Sequence, residues 1–209
     1  SSKERYVGGG TIGAKPKQRD PTSYVLDIKA LRNDGRLVSI VGDGNCIFRC
    51  ASYHLYGTQD RYNQIRQKVV EELRNNAQKW RNDALVYDAQ GTAILTGDEA
   101  LCSYEDYVHH LSQDSKFGDI GCLFVCRSIF SNFHFKIFES FGTSSIEGKF
   151  MKLHAASAAS SFRSKSLEDC PWLDPTGDVL NLRLYNEHYE VIGALSEEDF
   201  IDYKLATVS

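Results

Sequence analysis

A cysteine stands at the start of an apolar stretch in residues 42–48, whose sequence is GDGNCIF. The stretch Cys46–Tyr56 has helical spacing and stops at Gly57, so Cys46 is predicted to lie at a helix N-terminus. The helix dipole and the free amide hydrogens at such a terminus favour a thiolate over a thiol. The sequence therefore predicts a nucleophilic cysteine at residue 46.

The loop before Cys46 supplies other groups that are needed when a thiolate attacks a carbonyl carbon. The amides of Cys46 and of the loop from Asp43 to Asn45 are predicted to point at the oxyanion of the tetrahedral intermediate. Gly44 allows the close backbone approach that this arrangement needs. Asp43 also fits a simpler role, because an aspartate before glycine is a common turn former.

An imidazole normally pairs with a thiolate of this kind and protonates the leaving amine. Of the six histidines, His188 is the best placed, because it follows a turn at the start of a predicted strand. If residues 186–190 are extended, Asn186, His188 and Glu190 project to the same side. Either neighbour is then a candidate acceptor of the second ring proton, with a preference for Asn186 because glutamate is long for that reach.

The elements that must position these groups follow from the apolar periodicity and the capping signals. Their order predicts an α/β (α+β) fold in which a small, mostly antiparallel sheet packs between helices. The predicted helices span residues 22–33, 46–56, 60–80, 103–111 and 120–130. The predicted strands span residues 37–41, 133–139, 150–154, 179–185 and 188–192.

The chain is predicted to hold one domain, residues 21–209, behind a flexible arm. The arm, residues 1–20, carries three consecutive glycines and mostly basic charges without apolar periodicity. With 209 residues, no Pro- or Ser-rich linker divides the remainder centrally. We therefore expect one compact domain, and we expect it to be monomeric.

The composition narrows the class of function. The net charge of −4, with charges interspersed, argues against nucleic acid as a partner. Two of the cysteine pairs, Cys46/Cys50 and Cys122/Cys126, have the spacing of neighbours on one helix and not that of a zinc finger. We therefore expect reduced thiols in the core and no metal. No signal peptide or membrane span is apparent, which predicts an intracellular, cytoplasmic setting without membrane contact.

The strings DGNCIF and NEHYEVI resemble the two signature blocks of the ovarian-tumour (OTU) family of deubiquitinases, and SYEDYVHHL is similar to a third segment. The resemblance implies a papain-like cysteine protease fold with Cys46 as nucleophile and His188 as general base. It also implies that Asp43 is an acidic residue shaping the active-site loop or oxyanion hole. Asn186 stands where some members orient the histidine ring, and Glu190 stands where others do.

The reaction that this resemblance implies is hydrolysis of the isopeptide bond between the C-terminal glycine of ubiquitin and a lysine, through a thioester. The implied partner is ubiquitin or polyubiquitin, with no cofactor, in the cytoplasm of a cell or of a host. Tyr189 is a candidate wall of the channel for the Gly-Gly tail. The usual Trp-Gly-Gly step is absent, and FGDIG at residues 117–121 stands in its region.

Two other functions fit the same residues. One is an inactive OTU-like module that binds ubiquitin without cleaving it. The other is a protease that acts on a ubiquitin-like modifier. Kinetics with different modifiers would separate the three.

Overall fold

The structure is a computed structural model, which describes residues 24–81, 103–141, 149–153, 178–202 and 204. The predicted arm, residues 1–20, lies outside them, as do Cys102 and Cys170. The α-helices within the described residues are α1 (Ile28–Asn33), α2 (Cys46–Tyr56), α3 (Tyr62–Asn75), α4 (Ala77–Arg81), α5 (Tyr104–Ser112) and α6 (Ile120–Ile129). The strands are β1 (Tyr24–Asp27), β2 (Leu37–Val38), β3 (His134–Phe141), β4 (Phe150–Leu153), β5 (Val179–Tyr185), β6 (His188–Ile192) and β7 (Phe200–Asp202).

The strands form one sheet in the order β2-β6-β5-β3-β4-β1-β7. Every pairing is antiparallel except that of β3 with β5. The mostly antiparallel sheet that the sequence predicts is therefore confirmed. Strand β6 lies between β2 and β5, so it is held on both edges by backbone hydrogen bonds.

Apolar side chains on both faces of the sheet hold helices against it. Phe135 and Ile137 of β3 join the main core, to which α2, α3, α5 and α6 contribute. Phe138, the next residue along β3, packs on the other face with Ile28 and Leu31 of α1. Helices thus lie on both sides of the sheet, and the predicted α/β fold class is confirmed.

The helix predicted over residues 22–33 is half wrong. Tyr24–Asp27 is strand β1, which pairs with β4 and β7, and the helix begins only at Ile28. The Asp27 side chain caps it by accepting hydrogen bonds from the amides of Lys29 and Ala30. The partner strands lie far along the chain, so local periodicity could not reveal the pairing.

Two further predicted elements have different bounds in the structure. The helix predicted over residues 60–80 ends at Asn75 and resumes as α4, and the strand predicted over residues 37–41 is only Leu37–Val38. Helix α2, by contrast, has the predicted bounds, and Gly57 ends it in the left-handed conformation at φ 70°. Within the described residues, no helix is long and apolar enough to cross a membrane.

Candidate active site

Cys46 is the first residue of α2 and is 1% exposed. Burial raises the pKa of its thiol above the ordinary value, while backbone hydrogen bonds involving Tyr189, Ile47 and Cys46 itself lower it. Burial is the larger effect, and it opposes the thiolate that the helix terminus favours. A base must therefore remove the thiol proton before Cys46 can act as a nucleophile.

His188 lies beside the loop that carries Cys46. Its ring atoms Cε1 and Nδ1 lie 3.7 Å and 3.8 Å from the position that a Cβ atom on Gly42 would occupy. The next residue, Tyr189, is bound to helix α2, because Cys50 Sγ donates to its carbonyl oxygen at 3.7 Å. The fold thus brings together the two segments that the sequence identified as chemically active.

Asp43 is bound to Arg49 on the first turns of α2. Arg49 Nη2 lies 2.6 Å from Asp43 Oδ2, and the guanidinium group is 4.0 Å from the centre of the Tyr62 ring. The hydrogen bonds from Arg49 hold the pKa of Asp43 well below its usual range. An ionised Asp43 also accepts the amide hydrogen of Asn45 at 3.0 Å, which closes the loop on itself.

The family model described as "Vertnin, OTU domain" matches residues 38–149 of this chain. This is more than half of the 209 residues. The chain belongs to the OTU domain family. The matched range contains the Cys46 loop and Arg49, and it ends before β5.

Two curated proteins are similar over about half of this OTU domain. The first, OVARIAN TUMOR DOMAIN-containing deubiquitinating enzyme 10 of Arabidopsis thaliana, is 29% identical over 100 residues, which are 46% of this chain and 24% of that protein. The second is the 232R protein of Invertebrate iridescent virus 3, named as a candidate ubiquitin thioesterase. It is 36% identical over 112 residues, 52% of this chain and 13% of that protein. The matches thus span a quarter or less of these relatives.

Solved structures resemble the domain at low sequence identity. The OTU domain protease of Dera Ghazi Khan virus has a TM-score of 0.48 at 14% identity, covering 87% of this chain and 88% of its own. The OTU domain of OTUD1 has a TM-score of 0.48 at 18% identity, covering 78% of this chain and 89% of its own.

The histidine of this OTU domain follows a tight two-residue turn. Asn186 and Glu187 both have positive φ, 49° and 60°, and join paired residues Tyr185 and His188. Residues 186–190 are therefore not extended throughout, which was the condition for Asn186 to share a side with His188. Asn186 instead lies exposed in the turn.

The second candidate for orienting the ring, Glu190, has another partner. Its Oε2 atom accepts a hydrogen bond from Arg183 Nη1 on the neighbouring strand at 2.6 Å. Among the described residues, neither Asn186 nor Glu190 forms a hydrogen bond with the His188 ring. The third catalytic member of this OTU domain stays a prediction.

The side chain of Tyr189, the candidate wall of the channel, packs in the core. It is 7% exposed and belongs to the main core cluster, and its role as a wall stays a prediction. Its carbonyl oxygen accepts a hydrogen bond from Cys50 Sγ, and its backbone is one of the groups that lower the pKa of Cys46. Tyr189 thus ties strand β6, which also carries His188, to helix α2.

Gly44 and Asn45 have structural partners that the sequence did not predict. Gly44 has φ 82°, and a Cβ atom there would lie 2.0 Å from the carbonyl oxygen of Ser115, so no side chain fits. The Asn45 side chain is fully buried, and its Oδ1 accepts from Arg66 Nη2 at 2.5 Å and from the Ser115 amide at 3.3 Å. The backbone amide of Asn45 already donates to Asp43, so it is not available as one of the predicted oxyanion donors.

Arg66 is the residue of the site that sequence reasoning missed. It lies on the apolar stripe of α3, three residues before Val69 and seven before Leu73, and is 2% exposed. An arginine within an apolar stripe is the signal that could have found it, since buried charges need specific partners.

Four cysteines lie within the part of the chain that the structure describes. All four are buried thiols, which confirms core packing over disulfide pairing: Cys46, Cys50, Cys122 and Cys126. In the same part of the chain, no group of three or more His, Cys, Asp or Glu side chains could hold a metal ion.

Proposed function

We propose that this OTU domain is a deubiquitinase that cleaves the isopeptide bond after the C-terminal glycine of ubiquitin. The observation that carries the proposal is the approach of β6 to α2, in which the His188 ring packs on Gly42 and the carbonyl oxygen of Tyr189 accepts from Cys50 Sγ. The names of the two curated relatives, a deubiquitinating enzyme and a candidate ubiquitin thioesterase, support the same substrate class.

In the proposed reaction, His188 removes the proton of the Cys46 thiol as sulfur attacks the carbonyl carbon of the ubiquitin tail. The tetrahedral intermediate collapses to a thioester when the lysine amine leaves with the proton from His188. Water then attacks the thioester and gives its proton to His188. Release of the ubiquitin carboxyl group returns the thiol to Cys46, and no cofactor takes part.

The loop contributes charge stabilisation in this scheme. We assign the oxyanion donors to the backbone amides of Cys46 and Gly44, because the Asn45 amide is engaged by Asp43. The role of Asp43 is to hold the loop shape through Arg49 and Asn45, and it transfers no proton. Loop geometry of this kind is useful only if it exists before substrate arrives.

One observation favours a second candidate function, ubiquitin binding without cleavage. The pKa of Cys46 is raised by burial, and the His188 ring has no orienting hydrogen bond among the described residues. A domain with these properties could retain ubiquitin yet fail to form the thioester. Free buried thiols support an intracellular setting for either function.

The deciding experiment treats the protein with ubiquitin bearing a C-terminal electrophile and measures the intact mass. Matched variants are Cys46→Ala and Cys126→Ala, each of which removes one buried thiol. We expect a one-to-one adduct with the wild type and Cys126→Ala, and none with Cys46→Ala.

An unmodified wild type whose Cys46 still reacts with a small alkylating agent would overturn the proposal. Parallel probes built on ubiquitin-like modifiers would then report a different modifier as the substrate. If none of them reacts but titration with unmodified ubiquitin shows binding, the non-cleaving function replaces the enzyme.

A further inference from the structure

A buried arginine lies beneath the loop that carries Cys46. The guanidinium of Arg66 donates to the carbonyl oxygens of Leu111 at 2.9 Å and Lys116 at 2.7 Å. It also donates to the carbonyl oxygen of Gly44 at 3.3 Å and to Asn45 Oδ1 at 2.5 Å. One side chain of α3 thus reaches the end of α5, the segment after it, and the two residues that precede Cys46.

The acceptors around Arg66 are neutral. Within the described residues no carboxylate lies within ion-pair distance of its guanidinium, and burial lowers the pKa of the group. A charge placed among carbonyl groups on an apolar stripe costs stability relative to an apolar residue of similar size. The contacts therefore restrain the loop at Gly44 and Asn45, whatever they contribute to stability.

Arginine has the geometry for this task, and lysine does not. The planar guanidinium offers five N–H donors in a fixed fork, whereas an ammonium group is a single point with three. The plane of Arg66 also lies over the Phe48 ring, 4.2 Å from its centre, so its orientation is fixed. Because Phe48 lies in the first turn of α2, Arg66 contacts the chain on both sides of Cys46.

We infer that Arg66 is a positioning residue, which sets the conformation of residues 44–46 and thereby aligns Cys46 with its base and the oxyanion donors. The catalytic consequence rests on the proposed function, but the effect on the loop does not. A displacement of about 1 Å in a reacting group can lower a rate on the order of 100-fold. The effect belongs to kcat, since Arg66 is buried and does not contact substrate.

The test compares Arg66→Lys with Arg74→Lys, an exposed arginine on the same helix. For each we would measure kcat and KM with a fluorogenic ubiquitin C-terminal amide, at temperatures where thermal unfolding shows every variant to be folded. We expect Arg66→Lys to lower kcat by about 10- to 100-fold with KM nearly unchanged. Arg74→Lys should match the wild type.

A second measurement does not depend on ubiquitin. Hydrogen exchange of the peptide that spans residues 42–48 should become faster in Arg66→Lys than in Arg74→Lys, because the Gly44 and Asn45 contacts weaken. Unchanged kcat in folded Arg66→Lys would overturn the inference and leave Arg66 a stability residue. If the wild-type protein does not cleave the ubiquitin substrate, only the proposed function is rejected. The positioning role of Arg66 would then be rejected by hydrogen exchange in residues 42–48 that is the same in Arg66→Lys as in Arg74→Lys.

Discussion

The nucleophile loop, residues 42–46, and the histidine hairpin, residues 185–188, meet at one site but are held by different means. The loop is tied by side chains, with Arg49 on Asp43 and Arg66 on Asn45. The hairpin is held mainly by backbone, through strand pairing and a turn with two positive φ values, joined by side-chain contacts from Arg183 to the Tyr185 ring and from His188 to Gly42. The loop of the proposed nucleophile is thus restrained by side chains, whereas the ring orientation of His188, the proposed base, is left to rotamer preference and packing on Gly42.

The largest expected effect comes from the histidine hairpin. His188→Ala should lower kcat/KM for ubiquitin cleavage by about 10²- to 10⁴-fold, because the raised pKa of Cys46 leaves the thiol dependent on a base. Steady-state kinetics would measure the loss, and His109→Ala, at an exposed histidine of α5, is the control. Equal losses in the two variants would show that His188 has no special role.

The nucleophile loop should respond next, through Asp43. Asp43→Ala removes both the ion pair with Arg49 and the acceptor for the Asn45 amide, and we expect kcat to fall by about 10- to 100-fold. Asp43→Asn keeps an acceptor oxygen and should lose less. Glu71→Ala, an exposed carboxylate on α3, is the control.

The pH dependence of the loop follows from the depressed pKa of Asp43. A carboxyl group whose pKa is lower in the folded state stabilises the fold at any pH above the pKa of the unfolded state. This contribution to stability is lost as the pH falls toward and through the pKa of the folded state. Between pH 5 and 8, as a rough working range, Asp43 therefore stays ionised in both states. Rate profiles of wild type and Asp43→Asn should be parallel there, and a wild-type inflection absent from the variant would contradict this.

A second carboxyl group near the loop should make folding sensitive to pH. Burial raises the pKa of Asp119 to about 7, and its Oδ1 atom accepts from the Cys122 amide at 3.3 Å. The folded state holds this proton more tightly than the unfolded state, so stability falls as the pH rises from the unfolded pKa toward 7. Asp119→Asn keeps an acceptor and removes the charge. Because Asp119 keeps some exposed surface, we expect a gain on the order of 1 kcal/mol at pH 8.

Urea unfolding at pH 5 and pH 8 would measure this difference. The advantage of Asp119→Asn over the wild type should grow between the two pH values. An advantage of equal size at both would mean that Asp119 does not titrate in this range, and Glu71→Gln, at an exposed position of α3, controls for the change in net charge.

The smallest expected effect concerns the choice between the two candidates for orienting His188. Asn186→Gly removes the exposed side chain and keeps the left-handed turn, so we expect kcat/KM to change by less than about tenfold. A larger loss at unchanged stability would show that Asn186 moves onto the ring when substrate binds. It would make the hairpin as dependent on side chains as the loop is.

Local sequence was sufficient where the interactions are local. The bounds of α2 could be predicted because the apolar spacing and Gly57 act within one helix. The start of α5 is also locally determined, since the Ser103 side chain accepts a hydrogen bond from the Asp106 amide only three residues away. The family resemblance of two short blocks predicted the roles of Cys46 and His188, and the membership in the OTU family that it implied is confirmed. Each of these features is contained in a few consecutive residues, so no distant partner was needed.

Tertiary structure decided what depends on distant partners. The residues of β1 form a strand because β4 and β7 pair with it, and the partners of Arg66 come from three separate segments. The pKa of Cys46 is a balance between burial and amides, one of which comes from β6. Burial and hydrogen-bond geometry are properties of the packed chain, so the sequence predicted which cysteine is the nucleophile, while only the fold decided which groups hold it and in which direction its pKa shifts.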